Sequence, residues 1–357
     1  MPPDHTPWRA RPLLGIESSC DETAAAVLDA DGRVLSNVIS SQESVHGKFG
    51  GVVPELAARA HVGTINRVVT GAMEQAGLAW RDLGGIAVTE GPGLAGALLV
   101  GVNYAKALGY GCGLPVIGVN HLEGHIASAW LADPSFPRSC VVLVVSGGHT
   151  HLYRYQTDGR CTLLGCTRDD AAGEAFDKGA QMLGLDYPGG PAIDRLARQG
   201  NPNAIAFPRF HQRRTQLEFS FSGLKTSLLY KLREMSPTLR TERNADLAAS
   251  YQEAIVQVLV QKSLAAVATS NVSALAVVGG VSANSRLRAL LTERAAAAGI
   301  RIALPPLAYC TDNAAMIAAA ARHKLLAGAP LPQSRCSDAL LTSPASFAPA
   351  SQETTHS

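Results

Sequence analysis

Two histidines four residues apart, His121 and His125, are the side chains of this sequence whose types and spacing point most directly to chemistry. An apolar strand pattern over residues 114–119 precedes them, and an apolar helical pattern over residues 126–131 follows. If the pair opens that helix, the two imidazoles share a face, because helical positions four apart are neighbours. Two imidazoles on one face can chelate a metal ion. The alternative is two unrelated polar histidines at a helix start.

Glu123 lies between the two histidines and helps to separate two kinds of metal site. At the second position after His121 it would point away from the shared face. In zincin proteases the glutamate that acts as general base directly follows the first histidine. The spacing therefore argues against a metalloprotease, which stays an alternative function.

Length and composition are those of an ordinary soluble globular protein. Its 357 residues predict about two domains. The seven cysteines include no CxxC pair, which argues against a disulfide framework and a thiolate zinc site and favours a reducing, cytoplasmic location. No apolar run reaches membrane-spanning length, and residues 1–11 lack the apolar core of a secretory signal, so no membrane association is expected.

The most basic part of the chain is residues 195–243, with ten Lys or Arg against three Asp or Glu. This stretch is either a solvated basic face or a surface for a polyanion. In the second case Arg213, Arg214 and Lys225 are candidates for phosphate contacts.

A pattern that occurs twice predicts a duplicated fold. Strand 13–16, a small polar loop, strand 24–28 and an Asp-Gly turn recur in the same order from strand 141–145 onward. Helical patterns alternate with the strands. We expect a two-lobed α/β fold of the actin, sugar-kinase and heat-shock ATPase (ASKHA) type with a cleft between the lobes. The expected division is a tail over 1–11, an N-terminal lobe over 12–133, a C-terminal lobe over 138–328 whose last helix could pack back on the first lobe, and a disordered tail over 329–357.

Three polar loops follow predicted strands, at residues 18–23, 146–150 and 279–284. In an α/β protein such loops meet outside the carboxyl ends of the strands, and glycine pairs let backbone N–H groups wrap phosphates. Asp21 then lies where an acid facing phosphate or metal is expected. Asp312 is the leading candidate for a third metal ligand, and it could also cap the helix that starts at Ala314.

Six motifs together resemble the TsaD family, the bacterial tRNA threonylcarbamoyladenosine transferases once classed as O-sialoglycoprotein endopeptidases. The resemblance runs from about residue 14 to about residue 326, with the motifs in order. They are GIESSCDET at 15–23, NHLEGH at 120–125, VSGGHT at 145–150, the run 170–192, GGVSAN at 279–284 and CTDN at 310–313.

The resemblance implies a reaction and its components. The threonylcarbamoyl group of threonylcarbamoyl-adenylate passes to N6 of adenosine 37, just 3′ of the anticodon, in tRNAs that read codons starting with A, and AMP is released. One divalent metal ion, iron (Fe²⁺) in the first place or zinc (Zn²⁺), is bound by His121, His125 and Asp312. Asp21 is a candidate for orienting the reacting groups or acting as base. A TsaB-like paralogue and a small TsaE-like P-loop ATPase are the implied protein partners. The implied adenylate-binding residues are Val144, Val145, Ser146, Gly147, Gly148, Asp177, Gly190, Asp194 and Asn284.

Two further functions stay open besides the protease. A kinase or ATPase of the same superfamily would turn over ATP without tRNA, and a nucleotide-binding scaffold would catalyse nothing. Among the other histidines, His149 could contact a ligand and His151 is expected to be structural. The remaining ones considered, His46, His61, His211 and His323, are expected to be surface or packing residues.

Overall fold

The computed structural model of this chain describes residues 11–208 and 216–327. The strands are β1 (Leu13–Glu17), β2 (Glu22–Leu28), β3 (Val34–Ser41), β4 (Gly85–Gly91), β5 (Val116–Asn120), β6 (Cys140–Val145), β7 (Thr150–Tyr155), β8 (Cys161–Cys166), β9 (Ala274–Val278) and β10 (Arg301–Ala303). The helices are α1 (Glu43–His46), α2 (Pro54–Ala76), α3 (Ala95–Cys112), α4 (His121–Ala132), α5 (Ala172–Met182), α6 (Gly189–Ala197), α7 (Ser222–Glu234), α8 (Pro237–Glu242), α9 (Asn244–Thr269), α10 (Ser285–Ala297) and α11 (Ala314–Leu326).

These elements form two compact units. Within the described residues, unit 1 comprises 11–135, 186–188 and 305–327, and unit 2 comprises the remainder. The expected tails at 1–11 and 329–357, apart from residue 11, lie outside the described residues, as do His211, Arg213 and Arg214. Every helix over 11–208 and 216–327 is too short or too polar to cross a bilayer.

Each unit contains one five-stranded mixed sheet, and the two sheets have the same topology. In unit 1 the strand order is β3-β2-β1-β4-β5, and in unit 2 it is β8-β7-β6-β9-β10. The first strand of each unit pairs antiparallel with the next strand and parallel with a later one. The α/β fold and its duplication, predicted from the repeated strand-loop-strand pattern, are confirmed.

Strand β1 is buried on both faces, and its alternate residues pack against different helices. Leu14 and Ile16 join the core formed with α2 and α3. Leu13 joins the core formed with α11 on the opposite face. Because side chains alternate along a strand, Glu17 lies on the same face of the sheet as Leu13. The face of β1 that packs on α11 thus carries an apolar residue at one end and a carboxylate at the other.

The helix boundaries follow the local signals. Helix α2 begins at Pro54 and ends before Gly77, whose φ of 66° is left-handed, as the Pro and Gly positions predict. The sequence pattern does not predict strands β8 and β10 or helices α1, α6 and α8. All of these except α1 lie in unit 2, where a larger core buries α5, α6, α7 and α9 against the sheet.

Candidate metal centre and nucleotide-binding loops

Helix α4 presents the two histidines as the sequence predicts. Asn120 is its N-cap, and the side chain of Asn120 accepts a hydrogen bond of 2.9 Å from the backbone N–H of Leu122. His121 is the first residue of the helix and His125 lies one turn later. Their exposed fractions are 6% and 0%. The prediction that this stretch opens a helix is confirmed, and both rings are buried on it.

Asp312 lies against this histidine pair. Its Oδ1 is 3.1 Å from Nε2 of His125 and 3.5 Å from Nε2 of His121. The expectation that Asp312 caps α11 is wrong, because Asn313 is the N-cap and accepts a hydrogen bond of 3.0 Å from the N–H of Met316. The cap residue is therefore one position later, and the Asp312 carboxylate is directed at the imidazoles instead.

The three side chains offer donor atoms at metal-binding separations. One atom of each lies within 4.8 Å of the others. For ligand bonds of about 2.1 Å, neighbouring ligands of a tetrahedron or octahedron lie about 3.0–3.4 Å apart, and the two Asp312 contacts are close to this range. Neither ring nitrogen of buried His125 has a hydrogen bond within the described residues. Buried polar atoms normally have a partner, so the donor set fits a metal ion.

The surroundings of the histidine pair are strongly negative. Burial alone would lower the pKa of His121, but the charges of Asp312 and Glu17 outweigh it and raise the pKa to about 9. Burial, followed by the charges of Asp312 and Asp21, raises the pKa of Glu22 well above its ordinary value. Both shifts have the sign that an excess of carboxylates produces. A cation bound here would offset that excess.

Glu123 is engaged elsewhere. Its Oε2 lies 2.6 Å from Nζ of Lys324 on α11, so the carboxylate forms an ion pair between two helices. This pairing agrees with the sequence argument that Glu123 is not a base for a water bound at the histidine pair.

Asp21 lies half-buried in the loop between β1 and β2. Its backbone carbonyl accepts a hydrogen bond of 3.0 Å from the N–H of Gln42. The loop is also held by His61 of α2, whose Nε2 lies 2.9 Å from the carbonyl oxygen of Cys20 and whose Nδ1 lies 2.8 Å from Oγ1 of Thr23. Asp21 therefore belongs to a loop fixed on both sides, next to Glu22.

In unit 2 the first glycine loop connects β6 to β7. Ser146 is half-buried, and Gly147 and Gly148 are exposed. The carbonyl of Ser146 accepts a hydrogen bond of 3.2 Å from the N–H of Gly173, at the start of α5. A Cβ at Gly173 would lie 2.5 Å from that carbonyl oxygen, so only glycine allows this approach. The loop and the helix N-terminus are therefore in contact.

Val144 and Val145 have fully buried side chains at the end of β6. Any ligand contact from these two residues must therefore come from the backbone. Gly147 and Gly148 differ from the two valines because they are exposed and lack a side chain, so their backbone groups are accessible to a ligand.

The other residues implied by the resemblance, Asp177, Gly190, Asp194 and Asn284, lie at or beside two hydrogen bonds in unit 2. Asp177 accepts a hydrogen bond of 2.8 Å from the N–H of Gly189, which precedes Gly190 at the start of α6. Oδ1 of Asp194 accepts a hydrogen bond of 2.7 Å from Oγ of Ser285, which follows Asn284.

Asn284 is fixed by two hydrogen bonds of its own side chain. Its Oδ1 accepts from the N–H of Leu287, at 2.9 Å, which caps α10. Its Nδ2 donates to Oε1 of Gln252, at 2.7 Å. The amide is thus held in one orientation, and the second N–H of Nδ2 and the remaining lone pair of Oδ1 are the groups left for a ligand.

Comparison with known proteins identifies the family. Residues 33–319 match the model of the TsaD family, described as tRNA N6-adenosine threonylcarbamoyltransferase. The chain belongs to this family of transferases. The protein of that name from Syntrophobacter fumaroxidans is 54% identical over 314 residues, covering 87% of this chain and 93% of the relative. The one from Anaeromyxobacter dehalogenans (strain 2CP-C) is 54% identical over 323 residues, covering 88% and 95%.

Solved structures with low sequence identity share the fold. HypF of T. kodakarensis has a TM-score of 0.57 at 14% identity, covering 90% of this chain and 48% of HypF. Component A of the (R)-2-hydroxyglutaryl-CoA dehydratase of Acidaminococcus fermentans has a TM-score of 0.54 at 14% identity, covering 88% and 97%. These likenesses support the ASKHA type of α/β fold predicted from the sequence and carry nothing about the reaction.

Several residues around the histidine pair were not found from the sequence. Glu17, Glu22 and Thr89 lie near the histidine pair or near the loop that contains Asp21. His61, expected to be a surface or packing residue, also holds that loop. Glu17 and Glu22 lie in the GIESSCDET motif, so the motif itself is the signal that could have drawn attention to them. Thr89 and His61 carry no local signal, because each comes from another element of unit 1.

His151 has a structural contact, with Nδ1 3.0 Å from the hydroxyl of Tyr153.

Proposed function

We propose that this protein transfers the threonylcarbamoyl group from threonylcarbamoyl-adenylate to N6 of adenosine 37 in tRNAs that read codons starting with A, releasing AMP. The observation that carries the proposal is the convergence of His121, His125 and Asp312, three residues of the family motifs, on one group of donor atoms. Family membership supplies the reaction class.

One divalent metal ion belongs to the proposal, with Fe²⁺ in the first place and Zn²⁺ as the alternative. Two imidazoles and one carboxylate are ligands that suit either ion and leave coordination positions for a substrate. When bound, the ion supplies positive charge that fixes and polarises an oxygen of the donor. The excess of carboxylates around His121 supports a cation at this position.

The transfer needs positioning and one proton acceptor. N6 of the adenosine attacks the carbamoyl carbon, the bond from that carbon to the phosphate oxygen breaks, and AMP leaves with the electron pair. The amine loses one proton. Because the donor is already an activated anhydride, orientation and charge stabilisation can supply most of the rate. We assign the proton to Asp21, the half-buried acid whose loop is held by His61 and Gln42.

The adenylate is assigned to unit 2. Backbone groups of Val144, Val145, Ser146, Gly147 and Gly148, together with Asp177, Gly190, Asp194 and Asn284, are its proposed contacts. The support is the exposed backbone at Gly147 and Gly148 and the adjacent N-terminus of α5, since such helix ends favour anions. Asp177 and Asp194 would take part through their fixed carboxylates, either directly or through the helix starts that they hold.

The macromolecular partners are tRNA, a TsaB-like paralogue and a TsaE-like ATPase. For tRNA we assign phosphate contacts to Lys225, Arg213 and Arg214, of which Lys225 is described. Its ammonium lies 3.9 Å from Oδ2 of Asp170, and the side chain is 40% exposed, so it can reach a solvent-side phosphate. The protein partners are proposed on the family resemblance.

Reconstitution with synthetic threonylcarbamoyl-adenylate, tRNA and the partner proteins tests the function. Mass spectrometry of tRNA nucleosides should show threonylcarbamoyladenosine with the wild type and a loss of at least about 100-fold with His121→Ala, since a bound ion contributes several kcal/mol of charge stabilisation. The matched control is His323→Ala, since the ring of His323 packs against Trp130, and it should keep the product. Absence of product with the wild type, together with ATP turnover that needs no tRNA, would establish the kinase or ATPase alternative instead. Peptide cleavage that chelation stops would establish the protease.

A further inference from the structure

Glu17 is a fully buried carboxylate at the end of β1, with an exposed fraction of 0%. An ionised carboxylate is costly to bury unless its oxygens are hydrogen-bonded. Here three groups approach it. Oε1 accepts from the backbone N–H of Ser19 at 2.5 Å, and Oε2 accepts from Oγ1 of Thr89 at 2.6 Å. The third group is the ring of His121, whose Nδ1 lies 3.1 Å from Oε2.

These contacts define what the His121 ring can do. An ionised carboxylate only accepts hydrogen bonds, so the proton between Oε2 and Nδ1 must be on the nitrogen. With Nδ1 protonated, a neutral imidazole has its lone pair on Nε2. That atom is the one that faces Oδ1 of Asp312, at 3.5 Å. Glu17 therefore selects the tautomer in which His121 can bind a metal ion through Nε2.

His125 provides an internal comparison. Nδ1 of His125 is buried and has no hydrogen bond within the described residues, whereas Oδ1 of Asp312 faces Nε2 at 3.1 Å, so no acceptor holds a proton on Nδ1. The two histidines of the candidate metal centre thus differ, although they lie on one face of α4. The carboxylate of Glu17, fixed by Ser19 and Thr89, contacts Nδ1 of His121. His125 has no such contact at its Nδ1 within the described residues.

We propose that Glu17 is a positioning residue of the metal centre, which holds His121 as the Nδ1–H tautomer with Nε2 directed at the ion, and that His121 is the preorganised ligand of the pair. This inference rests on the proposed metal site. Oγ of Ser19 lies 3.1 Å from the same Nδ1, and its hydroxyl can accept a hydrogen bond as well as donate one, so this contact is compatible with the same tautomer.

The test uses Glu17→Gln in the full-length protein. Glutamine keeps the size of the side chain but has one acceptor oxygen for three donors. Zn²⁺ affinity, measured by competition with a chromophoric chelator, should fall about 10–100-fold. The matched control is Glu90→Gln, since Glu90 of β4 is a partly buried glutamate whose carboxyl packs against Gly118, and it should keep wild-type affinity. Equal affinity in wild type and Glu17→Gln would overturn the proposal.

A second readout works without metal. In protein labelled with ¹⁵N-histidine, the Nδ1–H proton of His121 should give a downfield, slowly exchanging resonance that Glu17→Gln shifts or removes. His125 should give no such signal. A buried glutamate with a purely structural role would leave the His121 resonance unchanged in the variant. Wild type that binds no Zn²⁺ or Fe²⁺ but shows this Glu17-dependent resonance would overturn the metal part of the proposed function, including the role of Glu17 at a metal centre, and would keep only the hydrogen bond from Nδ1–H of His121 to Glu17.

A milder variant covers the case in which Glu17→Gln does not fold. Thr89→Val removes the hydroxyl that holds Oε2 and leaves the carboxylate in place. It should weaken Zn²⁺ binding by less than Glu17→Gln would and should broaden the Nδ1–H resonance of His121. An unchanged resonance and unchanged affinity in Thr89→Val would contradict the role assigned to the locked carboxylate.

Discussion

Gly15 of β1 and Ala314 of α11 are in direct backbone contact. A Cβ at position 15 would lie 2.3 Å from the carbonyl oxygen of Ala314 and 3.1 Å from Cβ of Ala318. Only glycine lets the helix lie this close to the strand. Because Asp312 lies only two residues before Ala314, the position of α11 on β1 affects how far its carboxylate reaches toward His121 and His125.

We therefore expect Gly15→Ala to weaken the metal site without touching a ligand. The helix must move away from the strand, which should cost about 1–3 kcal/mol of unfolding free energy and reduce Zn²⁺ affinity. Urea unfolding and chelator competition measure the two effects. The matched control is Gly63→Ala in α2, where a Cβ meets nothing within 4 Å, and it should be neutral or stabilising by about 1 kcal/mol. Wild-type affinity in Gly15→Ala would show that the helix position does not control the site.

Metal addition should stabilise the wild type through Asp312. Zn²⁺ at about 100 times its Kd should add about 2.7 kcal/mol to the free energy of unfolding. Asp312→Asn should lose this increment, since the carboxylate contacts both imidazoles. The adjacent variant Asn313→Ala removes the α11 cap, which should cost about 1 kcal/mol and leave the response to Zn²⁺ intact. Thermal unfolding with and without Zn²⁺ measures all three, and equal responses in Asp312→Asn and wild type would remove Asp312 from the site.

Asp21→Asn should slow the transfer step while metal binding is retained. If Asp21 accepts the proton of the attacking amine, the single-turnover rate should fall by about 100-fold or more. Rapid quenching with preformed donor and saturating tRNA isolates that step. The exposed acid of the β2–β3 turn, Asp31, supplies the control variant Asp31→Asn. A wild-type single-turnover rate in Asp21→Asn would mean that another group takes the proton.

His61 should make unfolding dependent on pH. Burial lowers its pKa below the ordinary value of 6.5, more than the hydrogen bond to the Cys20 carbonyl raises it. The unfolded chain then takes up a proton before the folded chain does. The contribution of His61 to stability is therefore present above about pH 6.5 and lost as the pH falls toward the folded pKa. Urea unfolding between pH 8 and pH 5 should show a smaller decrease in the free energy of unfolding for His61→Gln than for wild type, and an equal decrease in the two proteins would contradict this role of His61.

The basic residues assigned to tRNA should set the salt dependence of binding. Each phosphate contact contributes about 0.7–0.9 to the slope of log affinity against log salt concentration. Replacing Arg213, Arg214 and Lys225 by glutamine should flatten the slope by about 2. The control replaces two exposed cations of unit 1, Lys48 and Arg81. The same slope in the triple variant and the wild type would show that tRNA binds to another surface of the protein.

Local sequence was sufficient for the histidine pair and for most of the elements. Helical geometry alone places His121 and His125 on one face, and the Asn120 cap fixes where that helix starts. The repeated strand-loop-strand pattern predicted the duplicated sheets. Strand β8 escaped prediction because only its first and fifth residues are buried, so it lacks the alternation that marks a half-buried strand.

Tertiary structure decided what surrounds the pair. Asp312 and Asn313 are both good capping residues, and the sequence gives no reason to choose between them; the packing of α11 on β1 makes Asn313 the cap and turns Asp312 toward the imidazoles. Glu17 is adjacent to His121 because β4 pairs with both β1 and β5, and His121 directly follows β5. The shared orientation of the two histidines is thus determined by one helical turn. The carboxylates that can make them a metal centre come from distant parts of the chain, and only the packing of sheet and helix brings them together.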